Sequence, residues 1–323
     1  MSQLHPDLSR VRFLPALSFG PRTALLAQRL TARMRPGRTP ADLSIEEHTA
    51  PGPEGSPPLS LRVYRPRSPT APSPALLWTH GGGYLFGSPV QDERGSIEFA
   101  RELGITVVAL RYRKAPQHTA PTAAEDAYSA LSWTVDNADR LGVDPGRVAI
   151  GGASAGGGIT ASLALMCHDR GGPRPVFQLL VYPMLDDRTA VRTDLDGLGV
   201  RMWSVASNRY AWRAYLGEAP GGGEVSSYAA AARREDLSGL PPAWIGVGTL
   251  DLFHDEDLAY ADRLRAAGVP CRTTVVPGAF HGFDTVFPKT GAVREFRRAQ
   301  TEALRSAFEE SAPPPPDHTG TPR

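Results

Sequence analysis

Ser154 is the residue around which chemistry could be built. It stands in Gly152-Ala153-Ser154-Ala155-Gly156, a G-x-S-x-G, after the apolar run Val148–Ile150 and before apolar residues at helical spacing, Ile159, Leu163 and Met166. A strand that ends abruptly in small residues and passes into a helix holds such a serine on a sharp, strained turn. The helix that follows points free N–H groups and its positive dipole end at whatever the hydroxyl attacks. Taken alone, the pattern also fits a plain tight turn or a phosphate-cradling loop. The latter wants a Lys after its glycines, and none is present.

A serine nucleophile needs an imidazole to take its proton and a carboxylate to hold that imidazole. Beyond Ser154 and before the tail the chain offers His168, His254 and His281. His168 falls about four turns along the helix that starts at the serine, so it points elsewhere. His254 is too close in sequence to Asp251 to pair with it easily and reads as a helix-start residue. His281 follows a strand and is flanked by Gly278 and Gly282, which suits a ring reaching over a sheet edge. Among the acids, Asp255, Glu256 and Asp257 fall in a helix first turn, where carboxylates serve dipole and caps. Asp251, expected at the end of the strand AWIGVGTLDLF, is preferred to Asp255.

A third feature complements these. The run ALLWTH leads directly into His80-Gly81-Gly82-Gly83-Tyr84. Adjacent glycines after a strand leave backbone N–H groups unobstructed, as a site that must approach a developing oxyanion requires. A flexible loop would be the reading of this run by itself. Its presence in one chain with the serine turn favours the functional one.

These residues have to be carried by a regular scaffold. SIEEHTA and LSLRVYRP read as antiparallel strands around a Pro/Gly loop. After ALLWTH come a helix (DERGSIEFARELG), a strand (TVVALRY), and one long helix from Pro121 to Gly142. Asp144-Pro145-Gly146 turns into the serine strand, and FQLLVYPML follows its helix. Later come the helix DEDLAYADRLRAAG, the strand CRTTVVPG and a last helix from about Gly291 to Glu309. Such alternation predicts an α/β fold with a mostly parallel, doubly wound sheet. It lapses from Asp186 to about Pro241, an insertion bearing Trp203, Tyr210, Trp212 and Tyr215.

Composition narrows the classes. The chain has 323 residues, 41% hydrophobic, and a net charge of +1, which gives no global case for nucleic acid. Its longest apolar runs are too short for a membrane span, and no signal peptide is evident at the start. Cys167 and Cys271 read as free thiols of a cytoplasmic protein, and no metal-ligand spacing or cofactor motif occurs. Residues 1–44 hold seven arginines against two acids and one amphipathic helical stretch around Leu25, Leu26 and Leu30. A basic membrane-surface segment and a helix packed on the main domain are both open; prolines that chop the segment favour the second, so no stable membrane association is expected.

The landmarks together resemble the hormone-sensitive lipase family of microbial serine esterases. HGGGY (His80–Tyr84), GASAGG (Gly152–Gly157), DLFHDE (Asp251–Glu256) and FHGF (Phe280–Phe283) follow in the family's order, with YRKAPQH (Tyr112–His118) between the first two. The resemblance covers about residues 60–310. It departs at Ala153, at Lys114 and Gln117, and in the missing proline after Asp251, without losing a catalytic group. It implies an eight-stranded α/β-hydrolase core over residues 45–310, with a helical cap from residues 1–44 and 186–241; the proline-rich composition of the tail, 311–323, predicts disorder there. It implies a Ser154–His281–Asp251 triad, oxyanion donors at the backbone N–H groups of Gly82, Gly83 and Ala155, and a structural His80. Tyr84 and Trp203 are the expected substrate-pocket residues. The implied activity is hydrolysis of short- to medium-chain acyl esters through an acyl-enzyme, on small-molecule substrates and without a cofactor. A homodimer through the last strand would fit the family. The rivals are an amidase, deacetylase or acyltransferase with the same triad, and a non-catalytic ligand receptor, against which the presence of all three triad residues argues.

Overall fold

Chain order and hydrophobic patterning produce eight strands and nine α-helices among the described residues of the computed structural model, 4–14, 17–68, 72–195 and 201–312. The strands are β1 (Leu43–Ala50), β2 (Leu59–Pro66), β3 (Ser73–Thr79), β4 (Thr106–Arg111), β5 (Val143–Ala153), β6 (Gln178–Val181), β7 (Ala243–Gly248) and β8 (Cys271–Val276). The helices are α1 (Pro21–Ala32), α2 (Glu93–Leu103), α3 (Thr122–Asp136), α4 (Ala138–Leu141), α5 (Ala155–Arg170), α6 (Val205–Leu216), α7 (His254–Ala266), α8 (Phe283–Val286) and α9 (Gly291–Glu310).

One sheet runs β1-β2-β4-β3-β5-β6-β7-β8. The β1–β2 and β2–β4 pairs are antiparallel and the rest are parallel. The inner strands β3, β4, β6 and β7 are apolar and buried almost throughout, because helices cover both faces. One face packs Phe99 of α2 and Phe296 and Leu304 of α9. The other packs Leu131 of α3, Ile159 and Leu163 of α5, and a further cluster around Tyr260 and Leu264 of α7. β8 lies at an edge and is half exposed.

Three expected boundaries move. The long helix after Pro121 breaks at Asn137, whose side-chain amide donates to the Trp133 carbonyl (2.9 Å) and ends α3 before the short α4. The turn at Asp144–Gly146 is an excursion inside β5: Ser73 pairs with Val143 and Ala75 already with Val148. The strand before Asp251 stops at Gly248, so the acid sits three residues beyond it in a turn.

The N-terminal stretch is stapled to the far end of the chain. The His5 N–H donates to the Gly278 carbonyl (3.0 Å), Asp7 accepts from the Ala292 N–H (3.1 Å), and Leu8 and Val11 are buried. Helix α1 does pack on the core, but through Ala24, Gln28 and Thr31: Gln28 donates to the Leu85 carbonyl (3.0 Å) and the Gly87 N–H to Thr31 (3.0 Å). The leucines read as its inner face, Leu25, Leu26 and Leu30, are 40%, 57% and 61% exposed. Within residues 186–241, Asp187 anchors the stretch by accepting from Arg233 (2.7 Å) and the Gly221 N–H (2.6 Å). This stretch meets the N-terminal one where the Phe19 N–H donates to Ser207 (2.8 Å) and Phe19 packs 5.8 Å from Trp203. Of the expected disordered tail, residues 313–323 lie outside the described residues.

Candidate active site

Ser154 caps α5 with φ 56° and ψ −122°, a conformation L-residues avoid, at a cost of about 1–3 kcal/mol. Its backbone is pinned on both sides: its N–H donates to the Val181 carbonyl (2.9 Å), and its carbonyl accepts from Gly158 and Met184 (3.0 Å each). The turn closes only over small neighbours. A Cβ on Gly152 would lie 2.4 Å from the Gly156 carbonyl, and one on Gly156 would lie 2.0 Å from that of Thr79.

The ends of β7 and β8 bring acid and base together. Leu250 donates to the Ala279 carbonyl (2.9 Å) and Gly278 to the Thr249 hydroxyl (2.8 Å), so the two loops are laced before either side chain is placed. Asp251 uses one carboxylate oxygen to accept the Phe253 N–H (3.0 Å) and the other to hold His281 Nδ1 (2.8 Å). His281 Nε2 lies 2.9 Å from Ser154 Oγ. Tyr182 and Phe253 meet the imidazole edge-on at 4.8 and 5.1 Å and fix its plane. All three side chains are buried to more than nine-tenths. In this arrangement the carboxylate can receive Nδ1–H, which would leave Nε2 free to accept a proton from the hydroxyl.

The glycine run curls beside this trio. Gly82 and Gly83 have φ of 128° and 58°, and Leu85 and Phe86 donate back to the Gly82 carbonyl (3.0 and 3.1 Å). His80 is fully buried, stacked on Tyr112 at 4.3 Å, and burial pushes its pKa well down, so it stays neutral. Its Nδ1 lies 2.8 Å from the Gly81 carbonyl and Tyr112 donates to its own carbonyl (3.0 Å), holding the loop's first residue.

A cavity of about 210 Å³ opens over Ser154 and His281, walled by Gly82, Gly83, Phe19, Phe86, Met202 and Trp203. Trp203 is therefore a lining residue. Tyr84 is not, which corrects its expected role: φ of 62° turns it into the core, where it stacks on Tyr215 at 3.8 Å and donates to the Met184 carbonyl (2.8 Å). Phe19, Phe86, Met202, Tyr182 and Asp92 were missed by sequence reading; only proximity to the glycine run could have pointed to Phe86. Burial raises the pKa of Asp92 to about 6, although Trp78 Nε1 donates to it (3.0 Å).

His254 begins α7 and lies 3.0 Å from Asp255, an exposed acid that also pairs with Arg192 (3.0 Å). Glu256 and Asp257 do not act as first-turn anions. Both are buried, and burial pushes their carboxyls well above the usual range. Glu256 instead accepts the Leu185 and Asp186 N–H groups (2.7 and 3.2 Å). Among the described residues no group of acids, histidines and cysteines could hold a metal ion, and no helix is long and apolar enough to cross a membrane.

A family model for the α/β-hydrolase fold matches residues 76–285, about two-thirds of the chain and the span that carries Ser154, Asp251, His281 and the glycine run. The chain belongs to that family. This α/β-hydrolase is of the hormone-sensitive lipase type. It is 36% identical over 263 residues to the carboxylesterase NlhH of Mycobacterium tuberculosis, covering 78% of this chain and 80% of that one. It is 36% identical over 251 residues to the esterase LipI of the same organism, covering 75% of each. Among solved structures, a bacterial heroin esterase superposes with a TM-score of 0.86 at 34% identity, over 95% of this hydrolase and 98% of that chain. Esterase LipW from Mycobacterium marinum does so with a TM-score of 0.82, also at 34% identity and with the same coverages. The hydrolase is a carboxylic ester hydrolase.

Proposed function

We propose that the hydrolase cleaves short- to medium-chain acyl esters by two-step acyl transfer to water, with Ser154 as nucleophile, His281 as base and acid, and Asp251 as the carboxylate that orients it. The observation that carries this reading is His281 bridging Asp251 and Ser154 at 2.8 and 2.9 Å. His281 takes the serine proton as Oγ adds to the carbonyl carbon. The oxyanion so formed is stabilised by the Gly82, Gly83 and Ala155 N–H groups, the last at the start of α5, where the dipole adds to it. The imidazolium then protonates the departing alcohol oxygen, leaving the acyl group on Ser154. Water repeats the sequence and releases the acid and the free serine.

The acyl-length reading rests on the modest cavity, about 210 Å³ and partly closed by Trp203 and Phe19, and on similarity to a relative from Pseudomonas putida named an ethyl acetate hydrolase, 32% identical over 228 residues. We also read residues 1–44 and 186–241 as the cap over this cavity, and the free thiols Cys167 and Cys271 as those of a cytoplasmic protein. The half-exposed β8 edge is where a homodimer would form.

Hydrolysis of p-nitrophenyl esters from acetyl to palmitoyl, in the wild type and in Ser154→Ala, tests the reading. The expected profile peaks at short chains, and the variant loses on the order of 10⁶ in turnover. Unchanged turnover in Ser154→Ala would overturn the assignment.

A further inference from the structure

Helix α1 is mounted with its polar side inward. Gln28 and Thr31 fasten it to the loop beyond the glycine run, at Leu85 and Gly87, and Ala24 is buried beside them. Leu25, Leu26 and Leu30 are left in solvent, and so is Met34, just past the helix. The exposure is concentrated: of nine large hydrophobic side chains exposed among the described residues, seven fall between Phe13 and Met34. An apolar cluster of this kind marks a surface that meets something else.

Arginines share that face. At about 100° per residue, Leu25, Arg29, Arg22, Arg33, Leu26 and Leu30 follow one another around an arc of about 140°, and all six are exposed. Arg22, Arg29 and Arg33, with Arg35 and Arg38 beyond them, have no ion-pair partner among the described residues. From Leu8 to Ala41 the chain carries no carboxylate. Two acids at the border of the segment are already taken. Asp42 pairs with Arg101 (2.6 Å), and Glu93, which accepts the Gly37 N–H (2.8 Å), pairs with Arg62 (2.7 Å).

Leucines and unpaired guanidiniums on one convex face narrow the occupant. A second copy would set this arginine-rich face against itself, with no carboxylate between to pair the charges. A nucleic acid or an acidic polypeptide would satisfy the arginines and leave the leucines in water. The tail, residues 313–323, offers only prolines as apolar cover. An anionic lipid surface meets both needs. Its acyl chains take the leucines, and its phosphates take the guanidiniums, whose fork matches phosphate oxygens.

We propose that the outer face of α1 docks the hydrolase on an anionic lipid surface. Attachment is peripheral and reversible, since no helix among the described residues is long and apolar enough to cross a membrane. The face adjoins the site: Leu17 and Phe19, just ahead of α1, line the cavity over Ser154. Esters dissolved in the lipid are thereby met beside that cavity. Docking itself does not depend on Ser154 being the nucleophile.

Co-sedimentation of the full chain with vesicles of phosphatidylglycerol and phosphatidylcholine, against vesicles of phosphatidylcholine alone, tests the proposal. Binding to the anionic vesicles should be tighter by about 10-fold or more, and should weaken as salt rises. Arg29→Gln combined with Arg33→Gln should weaken it about 25-fold, each arginine near a charged surface contributing about 5-fold. Leu26→Ser combined with Leu30→Ser should weaken it about 10-fold, through lost apolar burial. All four positions face solvent, so both variants should fold and melt as the wild type does, which circular dichroism checks. No binding, equal binding to the two vesicles, or binding unchanged in the arginine variant overturns the docking surface. Binding that needs the arginines but not the leucines also overturns it, and assigns the face to an acidic polymer. So does a wild-type dimer that the leucine variant dissociates in sedimentation equilibrium, which assigns the face to a second copy.

Discussion

Trp203 lies so close over Gly83 that a Cβ built on the glycine would sit 2.1 Å from its Cη2. The indole and the oxyanion loop are packed as one surface, and the glycine is required both by that approach and by its φ of 58°. Gly83→Ala must push the indole aside or tilt the peptide whose N–H is proposed as an oxyanion donor. The expected loss in kcat is on the order of 10²-fold, comparable to removing an oxyanion donor. Steady-state kinetics on a short ester, beside a thermal melt showing an intact fold, checks it.

Ser154 offers a test of stored strain. Glycine adopts φ 56°, ψ −122° without penalty, so Ser154→Gly should be inactive yet more stable by about 1 kcal/mol, the strain relieved less the entropy glycine adds to the unfolded chain. Ser154→Ala keeps the Cβ and should gain nothing. A urea melt in which the glycine variant is no more stable than the alanine one would remove strain from the account.

Thr249 is a positioning residue. Its hydroxyl accepts the Gly278 N–H and so couples the acid loop to the base loop without touching any reacting atom. Thr249→Val keeps the shape and deletes the bond. A fall in kcat of about 10-fold with KM nearly unchanged is expected, since small displacements of His281 act on the transition state more than on binding. Thr249→Ser, which restores the acceptor, should recover most of it.

Asp257 contributes a pH dependence of its own. Burial, with Glu256 and Asp251 nearby, raises its folded pKa well above the unfolded value of about 3.9. The folded state therefore binds a proton that the unfolded state has lost, and this contribution to stability declines as pH rises above that value, until the folded pKa is passed. Asp257→Asn removes this contribution and leaves those of Glu256 and Asp92. Its melting temperature should exceed the wild type's at pH 8, with the gap closing towards pH 4. A gap of constant size across that range would contradict the assignment.

How far the chain could be read without coordinates depended on whether neighbours in sequence are neighbours in space. Ser154, His281 and the glycines occupy turns whose local composition betrays them, and the alternation of strands and helices was legible for the same reason. Asp251 lies against His281, but in a loop beyond a strand that ends earlier than its sequence suggests, at Gly248. Side-chain direction was another matter. Tyr84 is adjacent to Gly83 in the chain, yet a single positive φ sends it into the core. Leu25, Leu26 and Leu30 have helical spacing and still face outward, because Gln28 and Thr31 take the inward polar anchors on Leu85 and Gly87. Phe19, Tyr182 and Met202 converge on the cavity over Ser154 from distant segments, and no local pattern announces them.

The contacts of His5 with Gly278 and of Asp7 with Ala292 have a consequence for how the molecule comes into being. During synthesis His5 and Asp7 leave the ribosome long before Gly278 and Ala292, their partners, have been made. The glycine run and Ser154 can be in place well before Asp251 and His281 exist to join them. Closing so long a loop is slow, so the turn that holds Ser154 can form early while the seam between the N-terminal stretch and α9 forms late.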